Sequence, residues 1–152
     1  MRIITYAPQY QSDWKRINVA WIAKSFVVED VDLEVLDHPQ ENIIAPGGCI
    51  ILAMEGDAVV GTCALLFSKP GVYQMVKMAV DDAWKGRGYG RVLCEAIIER
   101  ARQQGGHTLM LYSNRAGAAT AIALYRTLGF RELPLPSQAY ARADIYMELP
   151  LV

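Results

Sequence analysis

Between residues 80 and 93 the chain reads Val80-Asp81-Asp82-Ala83-Trp84-Lys85-Gly86-Arg87-Gly88-Tyr89-Gly90-Arg91-Val92-Leu93. A strand-like run leads into a basic, glycine-rich turn and straight on into an apolar-periodic segment. Glycines let successive backbone N–H groups point the same way and let an anion come close. A helix starting directly behind them adds partial positive charge, and Lys85, Arg87 and Arg91 add full charges. These parts could hold a diphosphate. The plainer alternative is a solvated loop whose glycines only end a strand, and the segment by itself supports both. Two phosphate motifs are excluded. There is no Gly-x-x-x-x-Gly-Lys-Ser/Thr, so this is not a P-loop. The spacing Gly86-x-Gly88-x-Gly90 is wrong for the dinucleotide fingerprint, and four predicted strands precede it.

Little else in the chain competes for chemistry. Cys49, Cys63 and Cys94 are scattered without a Cys-x-x-Cys spacing, and there are only two histidines. A disulfide framework and a Cys/His zinc site are both disfavoured, and no metal is expected. Cys63 and Cys94 fall inside a predicted strand and helix and read as small core residues. Glu29, Asp30, Asp32, Glu34 and Asp37 put five carboxylates into nine residues of an otherwise balanced chain. One sign of charge near a cleft concentrates the opposite sign, so a cationic ligand is expected there.

The elements that must position these residues follow from the apolar pattern. The 152 residues suit a single domain, 1–152, and 53% apolar content is enough for a sizeable core. Net charge is −1, which argues against nucleic acid as main partner. The longest apolar runs are strand-sized and span no bilayer. The first residues lack the pattern of a signal peptide, so the expectation is a soluble cytoplasmic protein. Ile3 to Tyr6 reads as a first strand, and Tyr10, Trp14, Ile17 and Trp21 fall at helical spacing. Residues 26 to 47, broken by Pro39 and Pro46, read as short helical or loop pieces over a cleft. Cys49 to Met54 and Ala58 to Phe67 form a hairpin across Glu55-Gly56-Asp57, and Gly61 marks a bulge or a close backbone approach. Val72 to Val80 is a third long strand. A helix from Arg91 ends at Gly105-Gly106, Thr108 to Tyr112 is a buried strand, and a second helix from Ala118 is stopped by Gly129. Weaker strands lie at Arg131 to Leu133 and Ala143 to Glu148. Hairpins mixed with strand–helix–strand crossovers predict an α/β fold with a mixed sheet.

The order of strand, glycine turn and helix resembles the GCN5-related N-acetyltransferases (the GNAT superfamily). The family's Arg/Gln-x-x-Gly-x-Gly/Ala loop corresponds to Lys85-Gly86-Arg87-Gly88-Tyr89-Gly90. Lys77-Met78-Ala79-Val80 is similar to the strand leading into that loop. Leu124-Tyr125 and Gly129-Phe130 resemble the family's Leu-Tyr-x-x-x-Gly-Phe helix end, and the likeness runs from about Gly48 to Leu149. It implies a mostly antiparallel mixed sheet flanked by helices, and acetyl transfer from acetyl-CoA to a primary amine of a small molecule or peptide. It further implies pantetheine against the backbone near Met78, Ala79 and Val80, and pyrophosphate on the amides of Gly86 to Arg91. Asn114 matches a frequent cofactor contact and serves equally well as a strand-end cap.

The resemblance makes Tyr125 the general acid beside the thioester sulfur; its place on an apolar helix face also suits a core tyrosine. Many relatives carry a base, Glu, six residues before the end of the fourth strand. Here that residue is Gln74, whose amide orients a water but takes no proton at neutral pH. The base is then one of Glu29, Asp32 and Glu34, or the amine arrives neutral, and any one of the three also reads as part of an exposed acidic loop. No residue reads as a covalent nucleophile, so a ternary-complex route is expected. A catalytically silent acyl-CoA-binding module, a nucleotide-phosphate binder and a homodimer stay open.

Overall fold

A computed structural model of the chain describes residues 1–137 and 142–152. β1 (Arg2–Thr5) leads through a 3-10 turn at Pro8–Tyr10 to α1 (Gln11–Ala23). α2 (Asp30–Asp37) and a π-type turn at Gln40–Ile44 come before the strands β2 (Cys49–Glu55), β3 (Ala58–Lys69) and β4 (Val72–Val80). After a 3-10 turn at Asp82–Trp84 come α3 (Tyr89–Gln103), β5 (Thr108–Ser113), α4 (Ala119–Thr127), β6 (Arg131–Leu133) and β7 (Ile145–Pro150). The seven strands form one sheet in the order β1-β2-β3-β4-β5-β7-β6. Only β4 and β5 run parallel, joined by the α3 crossover; all other neighbours are antiparallel. This is the mixed, mostly antiparallel sheet flanked by helices that the sequence predicts.

β2 shows why the apolar runs are unbroken. Its side chains alternate, with Ile51 and Ala53 facing the core under α3 and α4 and Ile50, Leu52 and Met54 facing the core under α1 and α2. A strand covered on both faces has no outward position for a polar residue. α1 sends Trp14, Ile17 and Ile22 into one core, while α3 sends Leu93, Cys94 and Ile97 into the other. Gly61 meets both of its expectations. The β2–β3 register slips between Ala53 and Met54, and a Cβ at Gly61 would stand 2.7 Å from Leu93 Cδ1. No helix among the described residues is long and apolar enough to cross a membrane.

Two local details refine the reading. Residues 26 to 47 hold short helical pieces, as expected: the helix α2 and the π-type turn at Gln40–Ile44. A reciprocal capping box starts α2: the Glu29 side chain accepts from the Asp32 amide, and the Asp32 carboxylate accepts from the Glu29 amide at 3.0 Å. The acidic run thus suits a helix N-terminus. β4 spans Val72–Val80 as expected and carries a bulge in its middle. Lys77 has φ +55°, the only non-glycine residue with positive φ among those described. The register with β3 slips at that point, between Thr62 and Ala64.

Candidate active site

The glycine turn is built as a cradle. Gly86 and Gly88 have φ of +78° and +85° with open space around them, so backbone conformation and not crowding selects glycine there. Gly88 caps α3, and the first amide of the region to find a backbone acceptor is that of Val92, on the Gly88 carbonyl at 3.2 Å. The amides of residues 86 to 91 have no acceptor among the described residues, which leaves a set of donors at a helix start for an anion. Lys85 pairs with Asp82 at 2.8 Å, Arg87 lies over the Trp84 ring at 4.8 Å, and Arg91 approaches Glu95 at 3.8 Å. Tyr89 turns its ring into the core and donates its hydroxyl to Glu55 at 2.7 Å, so only its backbone faces the turn. Replacing both Arg87 and Arg91 by Ala should weaken acetyl-CoA binding by roughly tenfold or more, the size of one or two charge-assisted hydrogen bonds, with an added salt dependence. Calorimetry showing wild-type affinity in the double variant would contradict the cradle.

Beside the cradle the sheet opens. β4 pairs with β5 only over Val72–Gln74, while β5 stays on β7 as far as Ser113. Beyond Gln74 the β5-facing edge of β4 carries no strand, and the Lys77 bulge lies on that stretch. The site is continuous with the turn, because a Cβ on Gly90 would touch Leu124 Cδ2 at 3.7 Å and Met78 Sδ and Val80 Cγ2 at 4.0 Å. Ala79 points the other way, into the core under α1 and α2. A cavity of about 420 Å³ fills the splay, and Gln74, Met78, Asn114 and Tyr125 all line it.

The bulge is held from two sides. On its carbonyl, buried Thr62 donates its hydroxyl to Lys77 O at 2.8 Å, and buried Asn18 of α1 donates to Thr62 Oγ at 3.0 Å. On its side chain, Lys77 Nζ lies 3.3 Å from Asp32, which is 3% exposed and also takes both terminal nitrogens of Arg142 at 3.1 and 2.6 Å. Burial would raise the Asp32 carboxyl; Arg142, the Glu29 amide and the Lys77 charge outweigh it and hold the group below its ordinary value. Burial lowers the Lys77 ammonium, against the pull of Asp32. Thr62→Val keeps the shape but leaves the Asn18 amide and the Lys77 carbonyl short of a partner. It should cost about 1–3 kcal/mol of stability and raise the KM for acetyl-CoA, with Thr62→Ser restoring both. A Thr62→Val protein as stable as wild type in thermal unfolding would contradict this.

The expected anionic field does not form. Of the five clustered carboxylates only Glu29 and Asp32 line the cavity, facing Lys77 and Arg142. Asp37 is turned to Lys15 at 2.6 Å, and Glu34 takes the Asn42 amide at 3.2 Å. Charge in the cavity is therefore balanced, which removes the ground for expecting a cationic acceptor. Lys77, Arg142, Asn18 and Thr62 were not singled out from the sequence. Asn18 had a signal, a polar residue on the Trp14–Ile17–Trp21 face; Arg142 had none.

Tyr125 comes off α4 into the cavity wall at 7% exposure, its ring 5.7 Å from Phe130. Burial pushes its phenol well above the ordinary value, with Cys94 and Cys63 adding to the shift, so it keeps its proton. Asn114 donates to the Arg142 carbonyl at 2.8 Å and accepts the Gly117 amide at 2.9 Å, the bonds of a strand-end cap at the edge of the cavity. All three cysteines are buried thiols, and burial pushes Cys94 up to about 12. Among the described residues no group of three or more His, Cys, Asp or Glu could hold a metal ion.

Known proteins share this fold. A model of the acetyltransferase (GNAT) family matches residues 13–130. The [ribosomal protein bS18]-alanine N-acetyltransferase of Escherichia coli (strain K12) is 38% identical over 82 residues, 51% of this chain and 55% of that protein. The chain thus spans about half the length of the curated relatives of that kind. A GNAT-family acetyltransferase structure from Staphylococcus aureus Mu50 superposes with TM-score 0.89 at 21% identity over 99% of each chain. The structure of yncA from Salmonella typhimurium with its cofactor acetyl-CoA gives TM-score 0.80 at 21% identity, covering 100% of this chain and 94% of that one. At these identities the two structures speak to the fold. With the family match covering most of its length, the chain belongs to the GNAT family of acetyltransferases.

Proposed function

We propose that residues 1–152 form one N-acetyltransferase domain that moves an acetyl group from acetyl-CoA to a primary amine of a small molecule or peptide, through a ternary complex. The observation that carries this is the continuity of three features: the free amides of residues 86 to 91, the strandless edge of β4 at the Lys77 bulge, and the Tyr125-lined cavity. Relatives point the same way, one a ribosomal-protein alanine acetyltransferase and one solved with acetyl-CoA.

When bound, acetyl-CoA supplies an activated thioester whose leaving group is a thiolate. The amides of Gly86 to Arg91, with Lys85, Arg87 and Arg91, would hold the diphosphate, and the backbone of Met78, Ala79 and Val80 the pantetheine arm, with Asn114 at its edge. A backbone N–H at the bulge would face the carbonyl oxygen, stabilising charge as it develops. Tyr125 would give its Oη proton to the departing sulfur. Asp32 has every oxygen taken, so the proton lost by the amine is assigned to Glu29, the half-exposed carboxylate lining the cavity, with Gln74 orienting an intervening water. Buried, protonated cysteines favour direct transfer over an acyl-enzyme.

A thiol-release assay with acetyl-CoA across amino acids, polyamines, aminoglycosides and peptides tests the reading. CoA release that depends on an amine is expected. Gln74 in place of a carboxylate is the feature that favours a silent acyl-CoA-binding module, and that reading predicts tight binding with no release for any amine. A nucleotide-phosphate binder would be protected by ATP or NAD as well as by acetyl-CoA.

A further inference from the structure

We propose that the acceptor at this cavity is a small amine that also carries a carboxylate, an α-amino acid with an apolar side chain. This rests on the cavity being the transfer site and adds the acceptor's chemical class. The starting observation is an imbalance of hydrogen-bonding capacity on the wall formed by α2, the β4 bulge and the segment before β7. Asp32 is full: its Oδ1 takes Lys77 Nζ and one Arg142 nitrogen, and its Oδ2 takes the other Arg142 nitrogen and the Glu29 amide. It has nothing left to offer a ligand.

The two cations are not full. Lys77 has three N–H donors, a side chain 17% exposed, and one partner among the described residues, Asp32 at 3.3 Å. Arg142 has five donors, a side chain 31% exposed, and its guanidinium carbon lies over the Phe26 ring at 5.3 Å. Glu29 aside, spare capacity on this wall among the described residues is donor-only and cationic, which suits an anionic oxygen. Partly buried donors of this kind seek an acceptor, from water or from a ligand.

Glu29 places the amine. Its carboxylate is half exposed and only 3.4 Å from Arg142, so an acceptor for N–H stands next to donors for a carboxylate. An α-amino acid carries its amine and its carboxylate on one carbon and matches that adjacency. Among the rest of the lining, Trp21, Ile22, Val31, Val35 and Leu66 offer apolar surface to a side chain. Val31 is 60% exposed and would be covered by it. A polyamine would instead bring a second cation against Lys77 and Arg142. A decarboxylated amine would leave both cations with donors unmet.

The test compares leucine, leucinamide and isoamylamine (leucine without its carboxylate) in the thiol-release assay with acetyl-CoA. Leucine should show kcat/KM roughly tenfold or more above isoamylamine, with leucinamide between them, the size expected for one charge-assisted contact. Arg142→Gln should collapse that ratio and Arg142→Lys should keep part of it; if Arg142→Gln does not fold, the wild-type comparison decides alone. Isoamylamine reacting as well as leucine, or better, overturns the inference while leaving the transferase intact. If no amine of any class releases CoA, the transferase reading falls separately. Calorimetry on the CoA-loaded protein then decides this one: tighter binding of leucine than isoamylamine supports it, and equal binding overturns it.

Discussion

Tyr125→Phe should lower turnover by roughly 10²-fold or more, with the fold and acetyl-CoA affinity close to wild type. The variant removes one oxygen and keeps the ring that packs against Phe130 at 5.7 Å. A thiol of cysteine type has an ordinary pKa of ~8.5 and tyrosine ~10, so a tyrosine is already the protonated partner at neutral pH. Burial raises the phenol further and makes its protonation secure across the working range, so no loss of activity on the alkaline side should trace to Tyr125 below its ordinary value. Rapid-quench turnover and a melting curve on the same preparation check both halves. Intact turnover in a protein destabilised like a core mutant would make Tyr125 a packing residue.

The second large effect is on stability. Asp32→Asn keeps the volume but removes the negative charge that holds Lys77 and Arg142, leaving a largely buried ammonium uncompensated. A loss of about 3 kcal/mol is expected, the low end for breaking a buried pair because Arg142 keeps access to solvent. The pH dependence has a definite sign. Asp32 is held below its ordinary value in the folded protein, so its contribution is fully present above ~4 and fades as pH falls through the lowered value. The gap between wild type and Asp32→Asn in urea unfolding should therefore be widest near neutrality and shrink in acid. A gap that is absent at neutral pH, or that widens in acid, would contradict the ion-pair account.

Legibility in the sequence followed the range of the forces involved. β2, β3 and β5 could be read because burial on both faces writes a continuous apolar run, a local signal. The glycine turn could be read because positive φ at Gly86 and Gly88 selects residue type within a few positions. α2 was left between helix and loop because its apolar positions, Val31, Val35 and Leu36, are sparse among carboxylates that also suit an acidic loop; the Glu29–Asp32 capping box was the available clue. The Lys77 bulge has no local cause at all. It is held by Thr62, Asn18 and Asp32, which lie 15, 59 and 45 positions away along the chain, and only the folded sheet brings them together. The acidic run misled for the same reason, since the cations that neutralise it at the cavity, Lys77 and Arg142, are distant in sequence. The glycine turn and Tyr125 were named from their own segments, whereas the charged wall of the cavity had to be seen folded.

The central claim is transfer itself, and product mass spectrometry tests it most directly. The protein is incubated with isotope-labelled acetyl-CoA and a pool of amines. The account predicts labelled acetyl on an amine in amounts equal to the free CoA released, with the label absent from the protein's cysteines. Acetyl-CoA that binds tightly yet leaves every amine unlabelled would contradict it and make the cavity a binding site without chemistry.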